Sequence, residues 1–173
     1  MSKAFTKEDQ EEAPLLIPAR APLPEGTPNY VTARGLELLR QERRTLDGEH
    51  LRLESSLDDP ERARALSSVN QRIHELEQRL SSAVLVDSAP SDPDEVRFGA
   101  WVRVQASDGV EQRYRIVGVD EADAKAGLIA FVAPMARALL GRRVGESTVL
   151  QSPRGAEELE LLAVAYADDG ARP

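Results

Sequence analysis

Residues 61–83 read ERARALSSVNQRIHELEQRLSSA. Within them Leu66, Val69, Ile73, Leu76, Leu80 and Ala83 alternate steps of three and four without a break. That is the 3.5-residue repeat of a coiled-coil seam. Just upstream, Asp59 is suited to cap a helix and Pro60 to occupy its first position, which marks a helix start. Further back, Leu36, Leu39, Leu46, Leu53 and Leu57 carry the same spacing, with Arg43 and His50 at the remaining seam positions and Thr32 as a cap. Two helices of about 24 residues, each about 36 Å long, are therefore predicted. Their short connection makes them antiparallel, a hairpin over residues 30–86. Gly48 lies inside the first arm and weakens it by about 1 kcal/mol relative to Ala.

On either side of the hairpin the pattern changes. Pro14, Pro18, Pro22, Pro24 and Pro28, with Glu8, Asp9, Glu11 and Glu12, mark residues 1–29 as a disordered, acidic tail, because each proline removes a donor and fixes φ. Residues 87–95, DSAPSDPDE, read as a linker of turn-forming residues. After it the period becomes two. Trp101–Gln105 and Glu111–Val117 alternate around Asp108-Gly109, a hairpin turn signal. Leu128–Val132, Ser147–Gln151 and Leu159–Tyr166 read as further strands, and Pro134–Leu140 as a short helix stopped by Gly141. The fold class is α+β: a helical hairpin, then a small, mostly antiparallel sheet domain over 96–167 and a disordered end at 168–173.

Composition narrows the function. The chain has 173 residues and a net charge of −8, from 22 Lys plus Arg against 30 Asp plus Glu. A surplus of acid argues against broad binding to a phosphate backbone. The absence of cysteine excludes thiol nucleophiles, thiolate metal sites and disulfide frameworks. The opening lacks the apolar core of a signal peptide, and no run approaches the 18 apolar residues of a membrane span; a cytoplasmic location is expected. No phosphate-loop, dinucleotide, nucleophile-elbow or metalloprotease motif occurs. Gly141-Arg142-Arg143-Val144-Gly145 is better explained as a turn, and His50 and His74 lack the third ligand zinc requires. The chain is not expected to be an enzyme in its own right.

Two places hold chemistry. Asp58, Asp59 and Glu61 cluster at the hairpin tip. They are either a solvated, capped turn or carboxylates lent to a Mg²⁺ held mainly by another molecule, in the way that ion is often shared. The stretch Ala133–Leu140 is unusually apolar for a short helix. One face must pack on the sheet, and the rest, with Met135 beside Pro134, offers a docking patch.

The sheet-domain words Phe98-Gly99-Ala100-Trp101-Val102, Asp108-Gly109-Val110, Arg115-Ile116-Val117-Gly118, Asp120-Glu121, Pro134–Leu140 and Val144-Gly145, in this order after a helical hairpin, resemble the bacterial GreA/GreB transcript-cleavage factor family. Thr32 and Gly35 look like the start of that family's first long helix, and the opening is GreB-like. The resemblance implies an FKBP-like domain that docks at the rim of the RNA polymerase secondary channel, through Asp120, Glu121, Pro134, Met135, Ala136 and Arg137. It also implies a coiled coil entering the channel, where tip acids help hold a catalytic Mg²⁺ of the polymerase. Nucleic acid is then contacted only indirectly, no cofactor is resident, and the chain is a monomer.

The chain departs from the family at the tip. Leu57-Asp58-Asp59-Pro60-Glu61-Arg62 stands where the family has Gly-Asp-x-x-Glu-Asn and an aromatic residue. The arms are shorter by about two turns, roughly 10 Å. Ala133 replaces a usual Ser, and Arg40, Arg43 and Arg44 are the one tight basic group on the arms. Weak or absent cleavage stimulation is expected. The alternatives are an active cleavage factor using Asp58, Asp59 and Glu61, and a structural adapter that dimerises through the seam. Prolyl isomerase activity has only fold analogy behind it.

Overall fold

A computed structural model describes residues 20, 22–55, 61–87, 91–152 and 155–166. Asp58, Asp59, the Asp59-Pro60 helix start, most of the N-terminal tail and the C-terminal end lie outside these.

The hairpin forms as its periodicity dictates. Helix α1 spans Ala33–Ser55 and α2 spans Arg62–Ser81. Cross-helix pairs descend one arm as they climb the other: Arg62 donates to the carbonyl of Leu53, Arg72 pairs with Glu49, and Arg43 pairs with Glu77. The arms are antiparallel. Leu39 and Leu46 of α1 and Val69 and Leu76 of α2 are buried, with Leu36, Ile73, Leu80 and Ala83 packed around them. Arg43, at a seam position, turns its head out to Asp47 and Glu77 and leaves its stem along the seam. At the far end, Arg62 donates to the carbonyls of both Leu53 and Glu54, groups that the last turn of a helix leaves without partners.

Gly48 is exposed, and a Cβ there would meet nothing within 4 Å. Gly48→Ala is therefore expected to stabilise the hairpin by about 0.5–1 kcal/mol, read as a higher urea midpoint of the helical signal.

The base of the hairpin holds two strands too short for a periodic signal. β1, Asn29–Val31, pairs in parallel with β2, Ala83–Leu85. The two helices act as the crossover that a parallel pair requires. The tail predicted over 1–29 thus ends earlier. Asn29 is buried, its side-chain amide donating to the carbonyl of Arg79, and Arg20 pairs with Glu42 of α1.

The second half is a five-stranded sheet of order β5-β4-β3-β7-β6. Its strands are β3 (Trp101–Ala106), β4 (Glu111–Val117), β5 (Leu128–Ala130), β6 (Ser147–Ser152) and β7 (Gly155–Ala165). All neighbours are antiparallel except β4 and β5. The β3–β4 turn closes on Gly109 at φ +83° and on Asp108, whose carboxylate accepts from the Val110 amide. Helix α3, Pro134–Leu139, is followed by Gly141 at φ +81°, a left-handed stop suited to glycine. Ala136 and Leu139 press into a core of Val96, Ala100, Val102, Val104, Ile116 and Leu161.

Strand β7 starts at Gly155, four residues before the predicted Leu159. Pairing with β6 holds Glu157 and Glu158 extended although their side chains stay in water. The predicted linker also shortens. Asp92 pairs with Arg143, the Val144 amide donates to the carbonyl of Asp94, and that of Val96 to Arg142, so 91–95 is stitched to the sheet domain. Tyr166 closes this seam: its hydroxyl donates to the carbonyl of Glu95 and accepts from the Arg97 amide. Tyr166→Phe is expected to lower stability by about 1–2 kcal/mol, measured by thermal unfolding.

Candidate functional site: a docking helix, an arm and the joint between them

Helix α3 divides its residues as an amphipathic turn must. Ala136 is fully buried and Met135 is half-buried against the sheet core, whereas Pro134 and Arg137 face water. Among the described residues no carboxylate pairs with Arg137. Of the residues expected to touch a partner here, Pro134, Met135 and Arg137 present surface. Ala136 corrects the expectation: its side chain is core, because the i to i+3 step from Ala136 to Leu139 is the face that meets the sheet.

Asp120 and Glu121 lie apart from α3. They sit in a single 3₁₀ turn after β4, Val119–Glu121, and point into the joint with the hairpin rather than outward. The Asp120 side chain is 9% exposed and lies between two guanidinium groups, Arg20 at 2.5 Å and Arg79 at 3.1 Å. The Glu121 side chain is 1% exposed. Its carboxylate accepts from the Thr32 hydroxyl at 2.5 Å, and the same hydroxyl accepts from the Gly35 amide at 2.9 Å. One hydroxyl thus caps α1 and ties it to the sheet domain. Gly35 is glycine because a Cβ there would lie 2.8 Å from Glu121 Oε2. An acidic pair in a loop reads as surface in the sequence; the signal that could have found its true place was the buried Thr32-x-x-Gly35 start of α1.

The other half of the joint is aromatic. Tyr30 of β1 packs its ring against Phe98 and Phe131 at 5.8 and 5.6 Å, and those two rings lie 5.7 Å apart, within the range of favourable aromatic pairing. Phe98 and Phe131 are thereby occupied by the protein's own hairpin base.

Arg20 belongs to the joint too, and sequence reasoning missed it. It donates to Glu42 of α1 at 2.6 Å as well as to Asp120. Burial acts to lower its pKa, but the hydrogen bonds and charges of Glu42 and Asp120 outweigh that and hold it above the ordinary arginine value.

At the tip, Glu61 is exposed, with Arg64 3.8 Å away, and makes no side-chain capping bond to α2. Among the described residues no group of three or more His, Cys, Asp or Glu could hold a metal ion. His50 lies beside Glu54, and His74 bonds Gln78. Among the described residues no helix is long and apolar enough to cross a membrane.

A family model described as "Transcription elongation factor, GreA/GreB, C-term" matches residues 90–166. Transcription elongation factor GreA of Alkalilimnicola ehrlichii is 37% identical over 152 residues, covering 79% of this chain and 96% of the relative. The chain belongs to the GreA/GreB family. GreA of Azorhizobium caulinodans is 43% identical over 107 residues, 61% of this chain and 68% of that relative. GreB of Neisseria meningitidis is 41% identical over 104 residues, 60% of this chain; the match spans 64% of the relative's length. Among solved structures, GreA factor homolog 1 of Thermus thermophilus aligns with 25% identity and a TM-score of 0.37, over 80% of this chain and 99% of that one. Membership of GreA/GreB rests on the sequence matches.

Proposed function

We propose that this GreA/GreB member is a transcription elongation regulator that docks at the rim of the RNA polymerase secondary channel through its sheet domain, inserts its hairpin, and stimulates transcript cleavage weakly or not at all. The observation that carries this reading is the joint. Buried ion pairs and an aromatic cluster fix the arm's base to the sheet domain, so the tip's reach is set by helix length. With 23 residues in α1, that reach is about 34 Å. A Mg²⁺ ligand must come within about 2.1 Å of the ion, and an arm roughly 10 Å shorter than the family's cannot recover the difference by side-chain rotation. The outward Pro134, Met135 and Arg137 of α3 supply the docking face. On this reading the protein is a partner of the polymerase, and any transcript cleavage is the polymerase's own chemistry.

Core polymerase should bind the full chain in a pull-down or by fluorescence anisotropy; no association at micromolar protein would remove the reading. On backtracked complexes, release of short 3′ RNA should stay within about twofold of the factor-free rate. The second reading, an active factor, draws support from the exposed carboxylate of Glu61, which closely follows Asp58 and Asp59 in the sequence. It requires release well above that rate and its loss in Asp58→Ala/Asp59→Ala protein. Dimerisation through the seam finds no support, since Leu39, Leu46, Val69 and Leu76 are buried within one chain; sedimentation should give a monomer.

A further inference from the structure

Arg20 lies nine residues ahead of β1, outside both cores, yet its guanidinium is one of the best-partnered groups in the molecule. One nitrogen meets Asp120 of the sheet domain at 2.5 Å and another meets Glu42 of the arm at 2.6 Å. The chain then returns to the base of the hairpin along α2, where Leu23 is half-buried over a cleft of about 300 Å³ that it shares with Arg20, Glu75, Gln78, Arg79 and Ser82. It is pinned at its end by Asn29, which donates to the Arg79 carbonyl at 2.8 Å and to the Ser82 hydroxyl at 3.2 Å.

We infer that Arg20 and residues 22–29 act as a strap that helps to fix the angle between the hairpin and the sheet domain, with Arg20 as its latch. A bidentate guanidinium held by two carboxylates from two different bodies constrains both direction and distance, which a single ion pair does not. Asp120 also forms an ion pair with Arg79, so the contact has two layers. The inner one, Arg79 with Asp120, joins α2 to the sheet; the outer one adds α1 through the strap. Removing Arg20 leaves the inner layer, the Thr32–Glu121 bond, the Tyr30 cluster and both hydrophobic cores in place, and loosens the angle that they alone would hold. The inference concerns the free protein and stands apart from any outcome with polymerase.

The chain has no cysteine, so spin labels can be placed at will. Gly48→Cys on the arm and Ser107→Cys on the β3–β4 turn, both exposed, report the angle by pulsed electron–electron distance measurement on the full chain. The unsubstituted strap should give one narrow distance. Arg20→Ala should at least double the width or add a second population, and Arg20→Lys should fall between. Glu42→Gln, which removes one side of the latch, should broaden the distribution in the same sense. Arg44→Ala, which breaks a surface pair with Glu37 on the arm alone, should change nothing. Distributions for Arg20→Ala and Glu42→Gln that superimpose on the parent would overturn the strap. So would equal broadening by Arg44→Ala.

Discussion

Leu76→Ala is expected to destabilise the hairpin by about 2–5 kcal/mol, the range for truncating a fully buried leucine. Leu76 is 0% exposed and packs with Leu39, Leu46 and Val31 at the level where the seam is best filled. Little can move in to close the cavity. Arg43, the one long side chain at a neighbouring seam position, is engaged by Asp47 and Glu77, and the base of the arms is tied by the pairing of β1 with β2. Leu51→Ala is the matched control, since Leu51 is 64% exposed and its truncation should change stability by no more than about 0.5 kcal/mol. The two halves of the molecule can be followed separately. The single tryptophan, Trp101, lies in the sheet with the Arg115 guanidinium over its ring, while far-ultraviolet circular dichroism is dominated by α1 and α2. In urea the dichroism midpoint of Leu76→Ala should fall well ahead of the Trp101 fluorescence midpoint. A loss of less than about 1 kcal/mol would mean that the seam contributes less than its burial implies.

How much of this was readable in the sequence follows from how many residues each feature repeats over. The seam runs through five apolar positions of α2 and on to Ala83, so the hairpin could be placed from spacing alone. The alternation of Trp101–Gln105 and Glu111–Val117 did the same for the central strands. Features without a period stayed hidden. β1 and β2 have three residues each, and β1 follows prolines. β7 begins among Glu157 and Glu158, whose polarity reads as loop although strand pairing sets their backbone. The candidate site divides in the same way. Pro134, Met135 and Arg137 could be assigned to a helix face, whereas the inward turn of Asp120 and Glu121 depends on Arg20, Thr32, Arg34 and Arg79, up to 100 residues away in the chain. Ion pairs of that separation leave no local pattern.

The same dependence on distant partners makes Gly118→Ala the most informative change at the joint. Gly118 has φ −66° and ψ 162°, an extended conformation open to any residue, so backbone freedom is not why glycine stands there. The reason is proximity: a Cβ would lie 2.7 Å from the carbonyl oxygen of Tyr30 and 3.6 Å from Val31 Cα. The obstacle is backbone, and it cannot swing away as a side chain would. β1 could retreat only by drawing the Tyr30 ring away from Phe98 and Phe131, and by loosening the bonds of Asn29 to α2. Overpacking of this kind costs about 1–3 kcal/mol. Because the sheet core of Val102, Val104, Ile116 and Leu161 lies on other residues, the loss should fall on the joint. Trp101 fluorescence should keep its native spectrum, while nuclear Overhauser contacts from the Tyr30 ring to Phe98 and Phe131 weaken or vanish. Full retention of those contacts together with parental stability would show that β1 can shift by the few tenths of an ångström required, and that the joint is softer than its packing suggests. Gly48→Ala, the same chemical change at an open site, should move stability the other way, so the pair separates the effect of a methyl group from the effect of where it is placed.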